Sequence, residues 1–222
     1  MTGSSPSSVS APALNRHHAS PTPLLTGWDA NRMLDVTGAA LGLLLLAPLL
    51  VLLALVIRLD SPGPVLFRQT RKGLNGQVFR IYKFRTMRVL EDGAVVRQAT
   101  RGDARVTRIG RILRSTSLDE LPQLLNVLSG EMALVGPRPH ALAHDEFYSR
   151  EISGYDQRFR VKPGITGWAQ VNGARGETPT LDHMRLRIEL DLWYVQHKSI
   201  ALDLTILART VVAEPGRTSE AY

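Results

Sequence analysis

A chain of 222 residues is long enough for one domain with an extra segment, and its 44% apolar content is sufficient to build a core. The net charge of +7 and the pI near 10.2 point to anionic partners such as nucleic acid, acidic lipid or phosphorylated substrates. Because the chain has no cysteine, disulfides, thiolate zinc sites and a cysteine nucleophile are all excluded.

The chain begins with a polar segment and continues into a strongly apolar one. Residues 1–27 are rich in Ser, Pro and Thr without apolar periodicity, which predicts a disordered tail. Between Asp35 and Arg58 lie 22 residues without a charge, enough for a helix that crosses a bilayer. The run is too long for a signal peptide and lacks a small-residue cleavage site. A buried core helix is the alternative, although such helices are rarely apolar on every face.

Pro48 lies just past the middle of this apolar run. Because proline removes a backbone donor and clashes with the preceding turn, a kink is predicted there. Two geometries follow, a bent spanning helix or a re-entrant helix that enters and leaves by the same face. Cationic residues outnumber acidic ones directly after the run, so the positive-inside rule puts the globular part on the cytoplasmic face in either case.

Two strands are predicted next, at residues 65–70 and 77–84, joined by a turn at Asn75-Gly76. Continued alternation of the second strand would place Lys83 and Arg85 on one face. Residues 89–110 are polar and interrupted by glycine, which is typical of a mobile loop. Together with the helices predicted further on, these strands indicate an α+β fold.

The second half of the chain has mainly helical patterns. Residues 111–126 have helical apolar spacing, and residues 132–135 are predicted to form a short buried strand or turn. A glycine-rich structured loop is expected at residues 162–180. Residues 185–191 alternate like a strand, but their charge spacing favours a helix. A last amphipathic helix over residues 200–211 either packs on the core or lies on the membrane surface.

The adjacent carboxylates Asp119 and Glu120 follow a strongly cationic stretch, since residues 68–114 hold thirteen Arg and Lys against three acidic residues. One interpretation is structural: Asp119 caps a helix and Glu120 favours the helix dipole. The other is catalytic. An ionised Asp is a competent nucleophile on phosphorus, Glu120 could act as a base in a second step, and Arg114 could neutralise a bound phosphate.

Four motifs in register resemble the bacterial sugar transferase family, the monotopic polyprenyl-phosphate phosphoglycosyl transferases. They span Lys83–Met87, Arg114–Gln123, Leu134–Pro139 and Lys162–Val171, and the resemblance runs from about residue 28 to residue 212. It implies a re-entrant membrane helix at 28–58, a catalytic domain at 59–213 with amphipathic interfacial helices, and a flexible C-terminal tail at 214–222. The family commonly breaks its re-entrant helix at Ser-Pro, whereas this chain has Ala47-Pro48.

The activity that the resemblance implies is transfer of a hexose 1-phosphate from a UDP-hexose to polyprenyl phosphate, with release of UMP. The expected setting is exopolysaccharide or other surface-glycan synthesis at the cytoplasmic face of the bacterial inner membrane. Asp119 matches the nucleophile and holds Mg²⁺ nearby, Glu120 matches the second carboxylate, and Arg114 matches a phosphate-contacting arginine. Inner-membrane lipid is an expected partner and nucleic acid is not, while the oligomeric state is left open.

Further candidates surround these residues. Lys83, Arg85 and Arg138 are candidate phosphate ligands, with a solvated basic face near anionic lipid as the alternative. The four polar or aromatic residues proposed to recognise the nucleotide or sugar lie in the glycine-rich loop: Trp168, Gln170, Asn172 and Arg175. Trp168 has a buried core position as its alternative.

His140 and His144 have the i,i+4 spacing of a metal pair. No glutamate follows the first histidine as in HExxH, so a surface helix is favoured over a zinc site.

Two other functions fit parts of the sequence. A membrane-tethered module that binds nucleic acid or anionic lipid would use the basic stretch, but it leaves the Asp-Glu pair without a role. A metal-dependent phosphohydrolase would use water to resolve the intermediate. Their products differ, because a transferase gives a sugar-diphospholipid, a hydrolase gives free sugar phosphate, and a binding module gives neither.

Overall fold

The computed structural model describes residues 30–88, 100 and 102–213. The tails predicted at residues 1–27 and 214–222, and most of the loop predicted at 89–110, lie outside the described residues. Within them the fold mixes helices and short strands, in the order α1 Ala30–Asp60, β1 Leu66–Lys72, β2 Val78–Phe84, α2 Arg108–Ser115, α3 Leu124–Ser129, β3 Ala133–Val135, α4 Leu142–Glu151, β4 Gly164–Thr166, α5 Trp168–Val171, α6 Leu181–His197 and α7 Ile200–Ala213. The described residues also include three 3₁₀ turns, at Leu74–Gly76, Leu118–Gln123 and Tyr155–Arg160.

The long apolar helix α1 is uninterrupted from Ala30 to Asp60, with Pro48 inside it. The break expected at Pro48 is therefore not confirmed. Within the described part of the chain, α1 is the helix whose length and composition suit a membrane span. Its exposed side is apolar, as Leu44 and Leu45 are 71% and 76% exposed. This exposure excludes the buried core helix considered for the sequence.

Both ends of α1 contact the rest of the protein. Near its start, Asp35 accepts a hydrogen bond of 2.8 Å from the backbone N–H of Leu134, and Ala39 packs in one cluster with residues of β2 and α3. Near its end, Ile57 packs against Phe84 and Leu113. The apolar helix is thus part of two of the hydrophobic clusters that hold the globular domain together.

The predicted hairpin is confirmed. Strands β1 and β2 pair antiparallel from Leu66 opposite Phe84 to Lys72 opposite Val78. The chain reverses at Asn75 and Gly76, whose φ angles of 54° and 75° belong to the left-handed region. Asn and Gly reach that region at the lowest cost, which is why this dipeptide marks the turn.

The free edge of β2 is covered by a side chain rather than by a third strand. Asn126 is fully buried, and its amide accepts a hydrogen bond of 3.0 Å from the backbone N–H of Tyr82 and donates one of 2.7 Å to the carbonyl of Arg80. These two hydrogen bonds, made by one side chain to two positions of the strand, fix α3 against the hairpin.

The helical apolar spacing over residues 111–126 does not correspond to one continuous helix. The chain instead forms α2, a 3₁₀ turn at Leu118–Gln123 and α3. Ser117 adopts a φ of 57°, which a continuous helix does not allow, and Pro122 lies inside the 3₁₀ turn, where its missing N–H costs least. The cap position of that turn belongs to Ser117, so the interpretation of Asp119 as a helix cap is wrong.

The loop predicted at residues 162–180 is wrong in part, because it contains β4 and α5. Three further predictions agree with the fold. The short strand at 132–135 is β3, which pairs parallel with β4. Residues 185–191 lie within helix α6, and the last amphipathic helix is α7. Tyr194 of α6 and Ile206 of α7 bury themselves against Val135 of β3, so α7 packs on the core through one face.

Candidate active site

The two adjacent carboxylates lie in the 3₁₀ turn that follows α2. The left-handed Ser117 redirects the chain, and the 3₁₀ turn that follows carries Asp119 and Glu120 in its first residues. Asp119 is 7% exposed. An acidic side chain that is almost fully buried must be neutralised by neighbours or carry a perturbed pKa.

Glu120 is held by two cations. Its Oε1 accepts a hydrogen bond of 2.8 Å from Lys83 Nζ, and its Oε2 accepts one of 2.9 Å from Arg138 Nη1. Arg138 Nη2 donates to Oε1 as well, so the guanidinium binds the carboxylate through two nitrogens. Burial alone would raise the pKa of Glu120, but the charges of Arg138 and Lys83 outweigh it and hold that pKa well below its ordinary value. Glu120 is therefore an anion at neutral pH, and it orders two cations.

For Asp119, in contrast to Glu120, the effect of burial on the pKa outweighs the effect of the neighbouring cations. The pKa of Asp119 is raised from 3.8 to about 6, because burial, together with the adjacent charge of Glu120, outweighs the lowering effects of Lys83, Arg114 and Arg138. Three of the four predicted phosphate ligands thus act electrostatically on this one carboxylate. Burial also lowers the pKa of Lys83, partly offset by Glu120.

Arg114 reaches the site from the last turn of α2. Its Nε donates a hydrogen bond of 3.0 Å to Thr86 Oγ1, and Thr107, which caps α2, donates its backbone N–H to the carbonyl of Thr86 at 3.0 Å. A Cβ on Gly110 would lie 2.1 Å from that same carbonyl oxygen. Only a glycine therefore lets α2 approach closely enough to place Arg114.

Arg85 does not join the other cations. Its guanidinium is buried at the end of α1, where it donates to the carbonyls of Ile57 and Pro62 and to the backbone and side chain of Ser61. The prediction that Lys83 and Arg85 work on one face is wrong, because strand β2 ends at Phe84 and the alternation stops there. Arg85 instead closes the carbonyl end of the apolar helix.

The position of Arg138 is fixed by a buried polar network behind it. Arg158 Nη2 donates to the carbonyl of Arg138 and forms a 2.9 Å salt bridge with Asp191. Arg158 Nη1 also lies 2.7 Å from His140 Nδ1. His140 is thus a buried member of this network, and the expectation that it lies on a surface helix is wrong.

Of the four residues predicted to bind the nucleotide or sugar, two line a cavity beside Glu120. This cavity of about 130 Å³ is bordered by Gln170 and Arg175. Trp168 instead stacks on Trp193, with ring centres 4.6 Å apart. Asn172 is exposed and donates to the carbonyl of Trp168 at 2.8 Å.

Several residues at or behind the site were not identified from the sequence. Ser117 accepts a hydrogen bond from Arg175 and lines the cavity. Arg187 of α6 donates to the carbonyls of Ala174 and Gly176 and so holds the loop that carries Arg175. Thr86 lies inside the motif Lys83–Met87, and this position could have indicated its role.

The carboxylates of the site could bind Mg²⁺ only together with phosphate oxygens of a substrate. Among the described residues, no group of three or more His, Asp or Glu side chains is placed to hold a metal ion. Glu120 is occupied by Lys83 and Arg138, so Asp119 is the carboxylate that remains. Mg²⁺ is commonly bound through one or two carboxylates together with substrate phosphates, and a single Asp fits that pattern.

Comparison with known proteins decides the family. The family model for bacterial sugar transferases matches residues 27–214. The chain belongs to the bacterial sugar transferase family. This sugar transferase is 61% identical over 180 residues to the UDP-glucose:undecaprenyl-phosphate glucose-1-phosphate transferase of Caulobacter vibrioides, a match that covers 81% of the chain and 67% of the relative.

Two other relatives show the same kind of similarity. A protein of the same name from Escherichia coli is 55% identical over 185 residues, covering 82% of the chain and 40% of the relative. The exopolysaccharide production protein PSS of Rhizobium leguminosarum is 50% identical over 187 residues, covering 82% of the chain and 94% of the relative. The sugar transferase therefore spans less than half the length of one of these relatives and nearly all of another.

Proposed function

We propose that the protein transfers glucose 1-phosphate from UDP-glucose to undecaprenyl phosphate, with release of UMP, and so supplies a lipid-linked sugar for exopolysaccharide synthesis. The names of its relatives in Caulobacter and Escherichia coli support the substrates, and the Rhizobium relative supports the pathway. The observation that carries the proposal is a buried Asp119 that lies within the electrostatic influence of three cations, Lys83, Arg114 and Arg138. Such a site attracts two phosphorylated substrates to a carboxylate that would otherwise repel them.

The proposed reaction has two steps at the same phosphorus. A carboxylate oxygen of Asp119 attacks the β-phosphorus of the UDP-sugar, and the bond from that phosphorus to the bridging oxygen breaks, so UMP leaves with the electron pair. An oxygen of the lipid phosphate then attacks the aspartyl-phosphosugar and releases the Asp119 carboxylate. Dividing one difficult transfer into two easier ones is the advantage of covalent catalysis.

Glu120 acts in this proposal by organising cations rather than as a base. A carboxylate whose pKa is held well below its usual value takes up a proton poorly, and a lipid phosphate that is already anionic needs no deprotonation to attack. Its bonds to Lys83 and Arg138 keep both cations beside Asp119, where they stabilise negative charge that develops on the phosphoryl oxygens.

Mg²⁺ is the proposed cofactor, held by Asp119 and the diphosphate of the donor. It would polarise the phosphoryl oxygens and neutralise their charge. Chelation should abolish turnover, and Mg²⁺ or Mn²⁺ should restore it. Full turnover in excess chelator would remove the metal from the proposal.

Both ends of α1 are proposed to lie at the cytoplasmic face of the bacterial inner membrane, with Pro48 at the deepest point. From Asp35 to Ile57 a straight helix extends ~33 Å, about the thickness of the hydrocarbon core. A spanning helix would carry its ends to opposite faces, where one globular domain could not contact both. Yet Asp35 and Ile57 both contact that domain.

Single cysteines introduced at positions 8 and 219 test this topology, because the chain has none of its own. Both should resist a membrane-impermeant thiol reagent in intact cells and react after lysis. Labelling at position 8 alone in intact cells would show that α1 spans the membrane.

The proposed chemistry is tested by mixing the protein with UDP-glucose and no lipid. UMP should appear in an amount equal to the enzyme, and intact-protein mass spectrometry should show an added hexose phosphate that maps to Asp119. The variant Asp119→Asn should form no adduct. A requirement for lipid before any UMP is released would overturn the two-step order, and free sugar phosphate as the only product would indicate a hydrolase.

A further inference from the structure

The cavity beside Glu120 has a mostly apolar wall. Four aliphatic side chains line it, from the 3₁₀ turn, α3, β4 and α5: Leu121, Leu124, Ile165 and Val171. Thr166 and Thr210 also border it, and their hydroxyls bond each other at 2.7 Å. A group that enters this cavity therefore meets hydrocarbon on most sides.

The size of the cavity limits what it can hold. At about 130 Å³ it is close to the ~150 Å³ cavity that accommodates one benzene molecule in a protein core. Sites for whole small-molecule ligands usually measure ~300–1,000 Å³. The cavity is thus matched to a group of five or six carbon atoms and is too small for a complete nucleotide sugar.

The location of the cavity connects the charged site to the membrane helix. Glu120 borders it on one side. On another side Leu124 belongs to the cluster of Ala39, and its Cδ1 would lie 3.2 Å from a Cβ on Gly42, so this wall rests directly on α1. The cavity therefore lies between the charged site and the apolar helix, separated from α1 by the side chain of Leu124.

We propose that this cavity binds the first isoprene unit of the lipid acceptor, a deepening that rests on the proposed transferase function. In a prenyl phosphate, the five-carbon unit is attached directly to the reacting phosphate. In a UDP-sugar, the uracil is separated from the reacting β-phosphorus by a ribose and a second phosphate. Only the isoprene is both apolar and close enough to fill an apolar cavity that borders Glu120.

One atom of the wall favours a different occupant and decides the design of the test. Gln170 donates its Nε2 to the carbonyl of Ile165 at 3.2 Å, while its Oε1 is buried without a hydrogen-bond partner among the residues that the structure describes. An acceptor of this kind suits an N–H of a nucleobase. The experiment must therefore separate the lipid from the uracil.

Filling the cavity with Val171→Phe tests the inference. The KM for undecaprenyl phosphate should rise at least tenfold, while the KM for UDP-glucose and inhibition by UMP should change less than twofold. Ala208→Phe, on the exposed side of α7, is the matched control and should leave both KM values unchanged. Circular dichroism and thermal unfolding establish that the variants fold, and Thr210→Leu fills the same cavity from α7 if Val171→Phe does not.

The outcomes separate this inference from the function on which it rests. Weaker inhibition by UMP with an unchanged lipid KM would assign the cavity to the nucleobase and overturn the inference. Equal KM values for all variants would also overturn it. If the unmodified protein releases no UMP from UDP-glucose, the proposed function itself fails, whatever the cavity holds.

Discussion

Asp119 and Glu120 are adjacent in sequence, but the pKa of Asp119 is raised and that of Glu120 is lowered. Glu120 is bound by Lys83 and Arg138, so its ionised form stabilises the fold. The ionised form of Asp119 is destabilised, because burial raises its pKa to about 6. At neutral pH the protein therefore keeps one carboxylate charged at a cost in stability. Such a cost is typical of groups held ready for chemistry.

The first prediction is that Asp119→Asn abolishes activity and makes the protein more stable. A shift from 3.8 to about 6 corresponds to a penalty on the order of 1–3 kcal/mol when Asp119 is ionised. Because the pKa is raised in the folded state, this penalty is fully present above pH 6 and disappears as the pH falls towards 3.8. The thermal unfolding midpoint of the variant should exceed that of the unmodified protein at pH 7.5, with the difference shrinking below pH 6.

Glu120→Gln is the matched control, since it removes the neighbouring charge with the same small change in shape. It leaves Lys83 and Arg138 without their carboxylate, so it should lower stability by about 3–5 kcal/mol. The two variants should move the midpoint in opposite directions. A loss of stability in Asp119→Asn at pH 7.5 would contradict the raised pKa.

At this scale the sequence singled out side chains that the structure brings together, but not their partners. Arg114 was a candidate from motif resemblance, and Lys83 and Arg138 were further candidates as cations. The two-point bond from Arg138 to Glu120 depends on contacts 18 residues apart, and the burial of Arg85 depends on where β2 ends. Neither follows from local spacing, because both depend on tertiary packing.

Among the elements, helix α2 is the one whose position most directly affects the site. It carries Arg114 and rests on the backbone of Thr86 so closely that a Cβ on Gly110 would meet three backbone atoms of Thr86 within 2.8 Å. Backbone atoms of a paired segment cannot move aside as a flexible side chain does. The helix itself must shift if a methyl group is added.

The second prediction is that Gly110→Ala displaces α2 and with it Arg114. Overpacking of this kind costs about 1–3 kcal/mol, and misplacing a catalytic group by ~1 Å can cost 10²-fold in rate. We expect kcat to fall at least tenfold. Arg111→Ala, one residue further on the exposed side of α2, should change stability by less than about 0.5 kcal/mol and leave kcat nearly unchanged. Equal rates in both variants would show that the close contact is not required.

The elements differ in how well the sequence specifies them. The hairpin was predictable because Asn75 and Gly76 satisfy a local conformational requirement. The turn within residues 111–126 was not, because the helical apolar spacing continues across Ser117, whose positive φ is imposed by the tertiary structure. Periodicity reports which face is buried, and that face is the same whether the segment is one helix or two with a turn between them.

For the whole molecule, the large exposed apolar side chains are concentrated on α1, with more at the end of α7. Leu45 and Leu52 are 76% and 55% exposed on α1, and Val211 and Val212 are 75% and 79% exposed on α7. Val78 of the hairpin is also 60% exposed, but it stands apart from both helices in sequence. Apolar surface on this scale indicates contact with lipid.

The third prediction is that charge on α1 weakens membrane association. A lysine at the centre of a membrane-embedded helix costs ~2.5–3.5 kcal/mol, so Leu45→Lys combined with Leu52→Lys should cost about twice that. The double variant should move substantially from the membrane fraction to the soluble or aggregated fraction after flotation. Val78→Lys, on the hairpin, should remain with the membrane. Equal flotation of both variants would show that α1 is not the anchor.

The contacts of α1 also constrain the order in which the protein assembles during translation. Arg32 donates to the carbonyls of Val127 and Leu128, and Asp35 binds Leu134, across separations of 95, 96 and 99 residues. At ~5–20 residues per second, α1 leaves the ribosome about 5–20 s before those partners exist. We expect an apolar helix to aggregate if it waits so long in water, and therefore to enter the bilayer first. On this expectation the catalytic domain completes its core against a helix that is already in lipid, and the active enzyme is made where a membrane is within reach of the ribosome.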